Sequence, residues 1–175
     1  MKKQLILATI VMAFAVTAQA QRFAYVNTDY ILDNMPEYKK AQEQIDKLTQ
    51  EWRGEADKKQ KEIDELYRSF QNEQYLLTED QKKAKISEIE TKEKALKDYQ
   101  KSVFGYEGLL YQKRQELVKP IQDKVYEAIE KYARERGYDF IFDKSSSTTI
   151  LWANPDNDKS DEIIKKLGYT PTKTN

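Results

Sequence analysis

The chain has no cysteine and no histidine among its 175 residues. Disulfides and thiol nucleophiles are therefore excluded, as are the usual zinc ligands and a Ser-His-Asp triad. It also lacks net charge, since 30 basic residues balance 30 acidic ones and the two signs are interleaved. Such a surface suits solvated helices with i,i+4 pairs rather than a basic footprint for nucleic acid. Apolar residues are thinly spread, and residues 5–16 form the one long apolar run.

That run follows Lys2 and Lys3 and precedes Ala18-Gln19-Ala20, a small-x-small cleavage site. Together these features make a Sec-type signal peptide over 1–20, cleaved between Ala20 and Gln21. The run is too short to span a bilayer comfortably, and polar Gln21-Arg22 follows at once. No cysteine follows it, which excludes a lipoprotein signal. Loss of Lys2 and Lys3 leaves the mature chain slightly acidic. In a Gram-negative cell the destination is the periplasm.

Helical periodicity is abundant. Across residues 38–136 apolar residues recur at spacings of three and four, a run too long for an ordinary globular helix. Ala41, Ile45, Leu48, Trp52, Ala56, Ile63, Leu66, Phe70 and Leu77 form the first series. Ile89, Leu96, Val103, Leu110 and Leu117 form the second, one heptad apart. Between them Leu76-Leu77-Thr78-Glu79-Asp80-Gln81 reads as a turn, with Thr78 and Gln81 as a capping box. Each limb would span about 40 residues, or roughly 60 Å. Matched limbs on a short turn predict an antiparallel helical hairpin, an arm over 38–119. Half of the second seam is polar (Glu93, Gln100, Glu107, Arg114), so the packing should be weak. Pro120 should kink or split the second limb.

The ends of the chain read as a small β body over 21–37 and 120–169, with a loose tail over 170–175. Residues 23–27 form a strand, and Thr28 or Asp29 caps a short helix. Gly137 ends the long helical region. Residues 138–143 and 148–153 alternate and predict a β-hairpin. Asp158 caps a last helix that Gly168 ends. Three short strands and one short helix cannot bury enough surface alone. The large groups Phe23, Tyr25, Phe140, Phe142, Ile150 and Trp152 are therefore expected between subunits. The number of subunits does not follow from this count.

Chemical sites are sparse. Lys144 beside Ser145-Ser146-Ser147 is better explained as a polar loop than as a Ser-Lys nucleophile. Asp156, Asp158, Ser160 and Glu162 imitate a calcium loop, but Asp161 and Leu167 stand where glycine and glutamate are needed. No catalytic residue, metal or cofactor is expected. The arm, by contrast, carries more aromatic groups than two helices can enclose. Phe70, Tyr75, Leu76, Leu77, Tyr99, Phe104, Tyr106 and Tyr111 are the expected sticky surface. Gly54, Gly105 and Gly108 should fall at one level of the hairpin and act there as a hinge.

The segments Ala24-Tyr25-Val26-Asn27-Thr28-Asp29-Tyr30-Ile31-Leu32 and Gly137-Tyr138-Asp139-Phe140-Ile141-Phe142-Asp143, with the closing Leu167-Gly168-Tyr169, resemble the Skp/OmpH family of periplasmic chaperones. The resemblance covers the whole mature chain. It implies a mainly helical α+β fold, a homotrimer joined by its β bodies, and arms that enclose unfolded outer-membrane proteins. It also implies an ATP-independent holdase, without catalytic residues or cofactors and with at most peripheral membrane contact. Better-known members are strongly basic, whereas this chain is neutral to acidic, so lipopolysaccharide binding is not carried over. A structural coiled-coil tether of the envelope is the rival reading, but it needs no sticky surface.

Overall fold

Helix signals in the middle of the chain and strand signals near its ends lead to two compact units. The computed structural model describes residues 21–145 and 150–172. One unit is Leu32–Val125, and the other combines Met1–Ile31 with Tyr126–Asn175. The sequence placed the boundaries at 37/38 and 119/120. α5 (Lys119–Arg136) runs through Pro120, and the division after Val125 falls within it.

In the Leu32–Val125 unit, α2 (Pro36–Glu73) is one unbroken helix of 38 residues. Pro36 opens it, where a missing N–H costs nothing, and Glu37 complements the helix dipole. After a short turn, α3 (Glu79–Phe104) starts at Thr78. The Thr78 hydroxyl accepts from the Gln81 amide at 3.3 Å, and the Gln81 side chain accepts from the Thr78 amide at 2.9 Å. Both halves of the capping box are therefore made.

Contacts between α2 and α3 pair Tyr67 with Glu93, Glu62 with Lys92, and Glu55 with Tyr99. From Glu55–Tyr99 to Tyr67–Glu93 one residue number rises as the other falls. Ala56, Ile63 and Leu96 form a buried cluster between them, with Tyr99 packed against it. Ile89 and Val103 are also buried, whereas Leu110 and Leu117 are only half-buried. The heptad stops burying its apolar residues where the helix stops. α4 (Leu109–Leu117) follows after a four-residue interruption, and α5 follows Val118. Pro120 lies in the first turn of α5, just after the break between α4 and α5.

In the other unit, β1 (Phe23–Val26) pairs in parallel with β2 (Phe140–Asp143), Phe23 opposite Phe140 and Tyr25 opposite Phe142. The expected hairpin is therefore corrected. The strand pairs with the N-terminal strand instead, and Ile150 to Ala153 are not in a strand. Residues 148 and 149 lie outside the described residues. The Lys159 amide donates to the Tyr25 carbonyl at 2.9 Å, so the chain beyond Pro155 lines the other edge of β1.

α1 (Thr28–Asp33) is capped by Asn27, whose side chain accepts from the Tyr30 amide, rather than by Thr28 or Asp29. Thr28 is occupied elsewhere, on Asp143. Gly137 sits at φ 67°, and the Tyr138 amide reaches back to the Ala133 carbonyl, a Schellman closure of α5. The Asp158 carboxylate accepts from the Ser160 amide ahead of α6 (Ser160–Lys166), and Gly168 at φ 90° follows that helix. Val26, Ile31, Ile163 and Ile164 form the fully buried part of this unit. Tail residue Thr172 is tied down, its carbonyl accepting from the Tyr30 hydroxyl at 2.7 Å.

Candidate functional site

Two surfaces are built from side chains that the fold leaves uncovered. The first lies on the helix pair. Between Glu73 and Glu79 the link is too short to have an interior, and Tyr75 and Leu76 are 83% and 86% exposed there. Phe70 and Leu77 are half-buried beside them. Farther along, Phe104, Tyr106 and Tyr111 are exposed, Tyr106 at 95%.

Tyr99 does not belong to this surface. Its ring packs on the Ala56–Ile63–Leu96 cluster, and its hydroxyl donates to the Glu55 carboxylate at 3.0 Å. Burial, then that hydrogen bond, raises its pKa above the ordinary phenol value. Counting aromatic residues per limb does not show which one packs between the helices. Tyr67 and Leu109, outside the expected set, are also exposed. Tyr67 donates to Glu93 at 3.0 Å, so a polar seam position has a partner.

The second surface is one face of the sheet. Phe23, Phe140 and Phe142 share that face through the alternation of both strands. Their rings stack with centroids 5.7–6.3 Å apart, and all three are exposed. Beside them Phe142, Ile150 and Trp152 line an apolar groove of about 440 Å³. Trp152 is 80% exposed and Leu151, missed in the sequence, fully so.

Tyr25 departs from the expected interface set, because it is buried within its own chain. The Lys144 ammonium lies 5.2 Å from its ring centre. Burial, then the charge of Asp158, pushes its phenol pKa up. Lys144 and Ser145 are thus engaged in local structure. Ser145 donates to the Asp143 carboxylate from both its amide and its hydroxyl.

The three glycines fall in two different settings. Gly54 lies inside unbroken α2, with open space where a side chain would be. Gly105 ends α3 and Gly108 starts α4, so these two bracket a turn. A Cβ there would lie 2.3 Å from the Lys101 carbonyl oxygen at Gly105 and 2.7 Å from that of Val103 at Gly108. Of the two limbs, only the second is interrupted at its glycines. Of the cleavage pair, Ala20 lies outside the described residues, and Gln21 is the first described.

Among the described residues no cluster of acidic side chains could hold a metal ion, and no helix is long and apolar enough to cross a membrane. Both surfaces present exposed aromatic and aliphatic groups.

Comparison with known proteins agrees with this description. A crystal structure of a candidate outer membrane chaperone (OmpH-like) from Caulobacter crescentus is similar in fold, with a TM-score of 0.64 at 9% identity, covering 89% of this chain and 90% of that one. No curated protein matches the chain. The family model for outer membrane protein (OmpH-like) matches residues 22–167. The chain belongs to the OmpH-like family.

Proposed function

We propose that the protein is a periplasmic, ATP-independent holdase that binds unfolded outer-membrane β-barrel proteins and keeps them from aggregating. The observation that carries this reading is the exposure of Tyr75, Leu76 and Tyr106 on a charged helix pair. A structural tether gains nothing from large uncovered apolar groups, whereas a binder of varied unfolded chains needs many weak apolar contacts without a fixed pocket. Family membership and the similarity to a candidate chaperone support the same reading.

In this proposal the helix pair is a hairpin arm, and three copies join through the sheet face to enclose a client. Phe23, Phe140, Phe142, Ile150 and Trp152 would supply the joint. The deciding experiment mixes the purified mature chain with a barrel protein diluted from urea and follows light scattering. Suppression at stoichiometric ratios is expected without nucleotide. Scattering unchanged by the protein would remove the reading.

A further inference from the structure

The turn between α3 and α4 is made of Gly105-Tyr106-Glu107-Gly108. The Gly108 amide donates to the Gly105 carbonyl at 3.0 Å and closes it. Glu107, at the third position, has φ 55°, and it is the one residue other than glycine with positive φ among the described residues. A turn with its third residue left-handed is of the type II kind, and glycine or asparagine ordinarily stands there. Here the glycines occupy the outer positions, where a Cβ would meet backbone. The strained position is left to a glutamate, whose carbonyl accepts from the Gln112 side chain at 3.1 Å. Strain of this sort persists where the surrounding structure over-determines it, and it concentrates at functional positions.

The strained turn holds Tyr106 almost wholly out of the protein. Phe104 and Tyr111 flank it and are also exposed. Lys101 stands three residues before Phe104 and Arg114 three after Tyr111, so each cation shares a helix face with an aromatic ring. Neighbouring Lys94 and Lys113 are paired with Asp98 and Glu116. Lys101 and Arg114 make no ion pair within 4.0 Å among the described residues.

We propose that this turn is a docking point for extended segments of unfolded chains that combine aromatic residues with carboxylates. Tyr106 supplies the central stacking group, and Lys101 and Arg114 supply the flanking charge. A helical partner would need a groove, whereas a ring projecting from a turn meets one side chain of an extended strand at a time. The inference rests on the chaperone reading and names the chemistry its clients present.

The test uses the full mature chain and two synthetic peptides with the same alternating phenylalanine and tyrosine residues. Their polar positions are glutamate in one and lysine in the other. Fluorescence anisotropy should show the glutamate peptide binding more tightly, with the preference shrinking as salt rises. Tyr106→Ala should weaken that peptide about five- to tenfold without moving the thermal midpoint, and Tyr106→Phe should restore it. Lys101→Gln with Arg114→Gln should abolish the preference between peptides. Glu107→Gly relieves the strain and keeps the turn, so binding should stay. Equal binding by Tyr106→Ala and the unmutated protein overturns the docking point, as does a preference for the lysine peptide or loss of binding in Glu107→Gly. In parallel, each protein is offered an unfolded barrel protein. If the unmutated chain holds it and Tyr106→Ala holds it equally well, the docking point falls and the chaperone reading stands. If the unmutated chain holds none but binds the glutamate peptide through Tyr106, the chaperone reading falls alone.

Discussion

The Asp143 carboxylate grips Thr28 at two points, accepting from its hydroxyl at 2.6 Å and from its amide at 3.2 Å. The pair joins the end of β2 to the start of α1 across 115 positions of sequence. Burial is the largest single influence on this carboxyl and works against its charge. The hydrogen bonds from Thr28 and Ser145 together outweigh it, and the pKa lies below the ordinary 3.8. A carboxyl whose folded pKa is depressed adds stability above the unfolded value, and that stability is lost as pH falls through the folded value. Asp143→Asn should cost about 1 kcal/mol at pH 7, a figure already reduced for partial exposure. Below pH 4 the gap to the unmutated protein should narrow. Urea midpoints at pH 7 and pH 3 check this, and an equal gap at both would contradict it.

The glycines separate by substitution. Gly54→Ala should raise stability by about 0.5–1 kcal/mol, because α2 continues through it and nothing crowds the new methyl group. Gly105→Ala should lower stability, because its Cβ would lie 2.3 Å from a backbone oxygen that cannot swing aside. Thermal midpoints of the two variants should therefore move in opposite directions. Movement in the same direction would show that the interruption after Phe104 is not held by its glycines.

Ile150→Asp with Trp152→Asp should dissociate the assembly without unfolding the chain. In one chain Trp152 is largely in water already, so only an interface would bury the new carboxylates, at several kcal/mol each. Sedimentation of the unmutated protein should give a trimer and the double variant a monomer with unchanged helicity. A folded monomer from the unmutated chain would end the oligomer proposal.

Photo-crosslinking groups at Tyr75 and Leu76 should capture an unfolded barrel protein, and one at Tyr99 should not. The first two are open to solvent, and Tyr99 is packed between α2 and α3. Equal capture at all three positions would show that client contact is not governed by exposure.

The sequence by itself determined the elements whose causes are local. Apolar spacing marked the helices, Thr78 and Gln81 the start of α3, and Pro120 the start of α5. Gly137 and Gly168 marked helix ends through left-handed geometry. Each depends on residues within a turn or two, so each was legible before folding. Tertiary structure alone decided the rest. β2 prefers β1, more than a hundred residues away, to the segment just after it, because alternation specifies a buried face and not a partner. Asn27 caps α1 because Asp143 engages Thr28. Tyr25 is enclosed and Tyr99 partly covered while Phe142 and Tyr106 are exposed, although all four are aromatic residues of equal weight in the sequence. Burial of one ring among many depends on what the rest of the chain lays over it, and only the folded chain settles that.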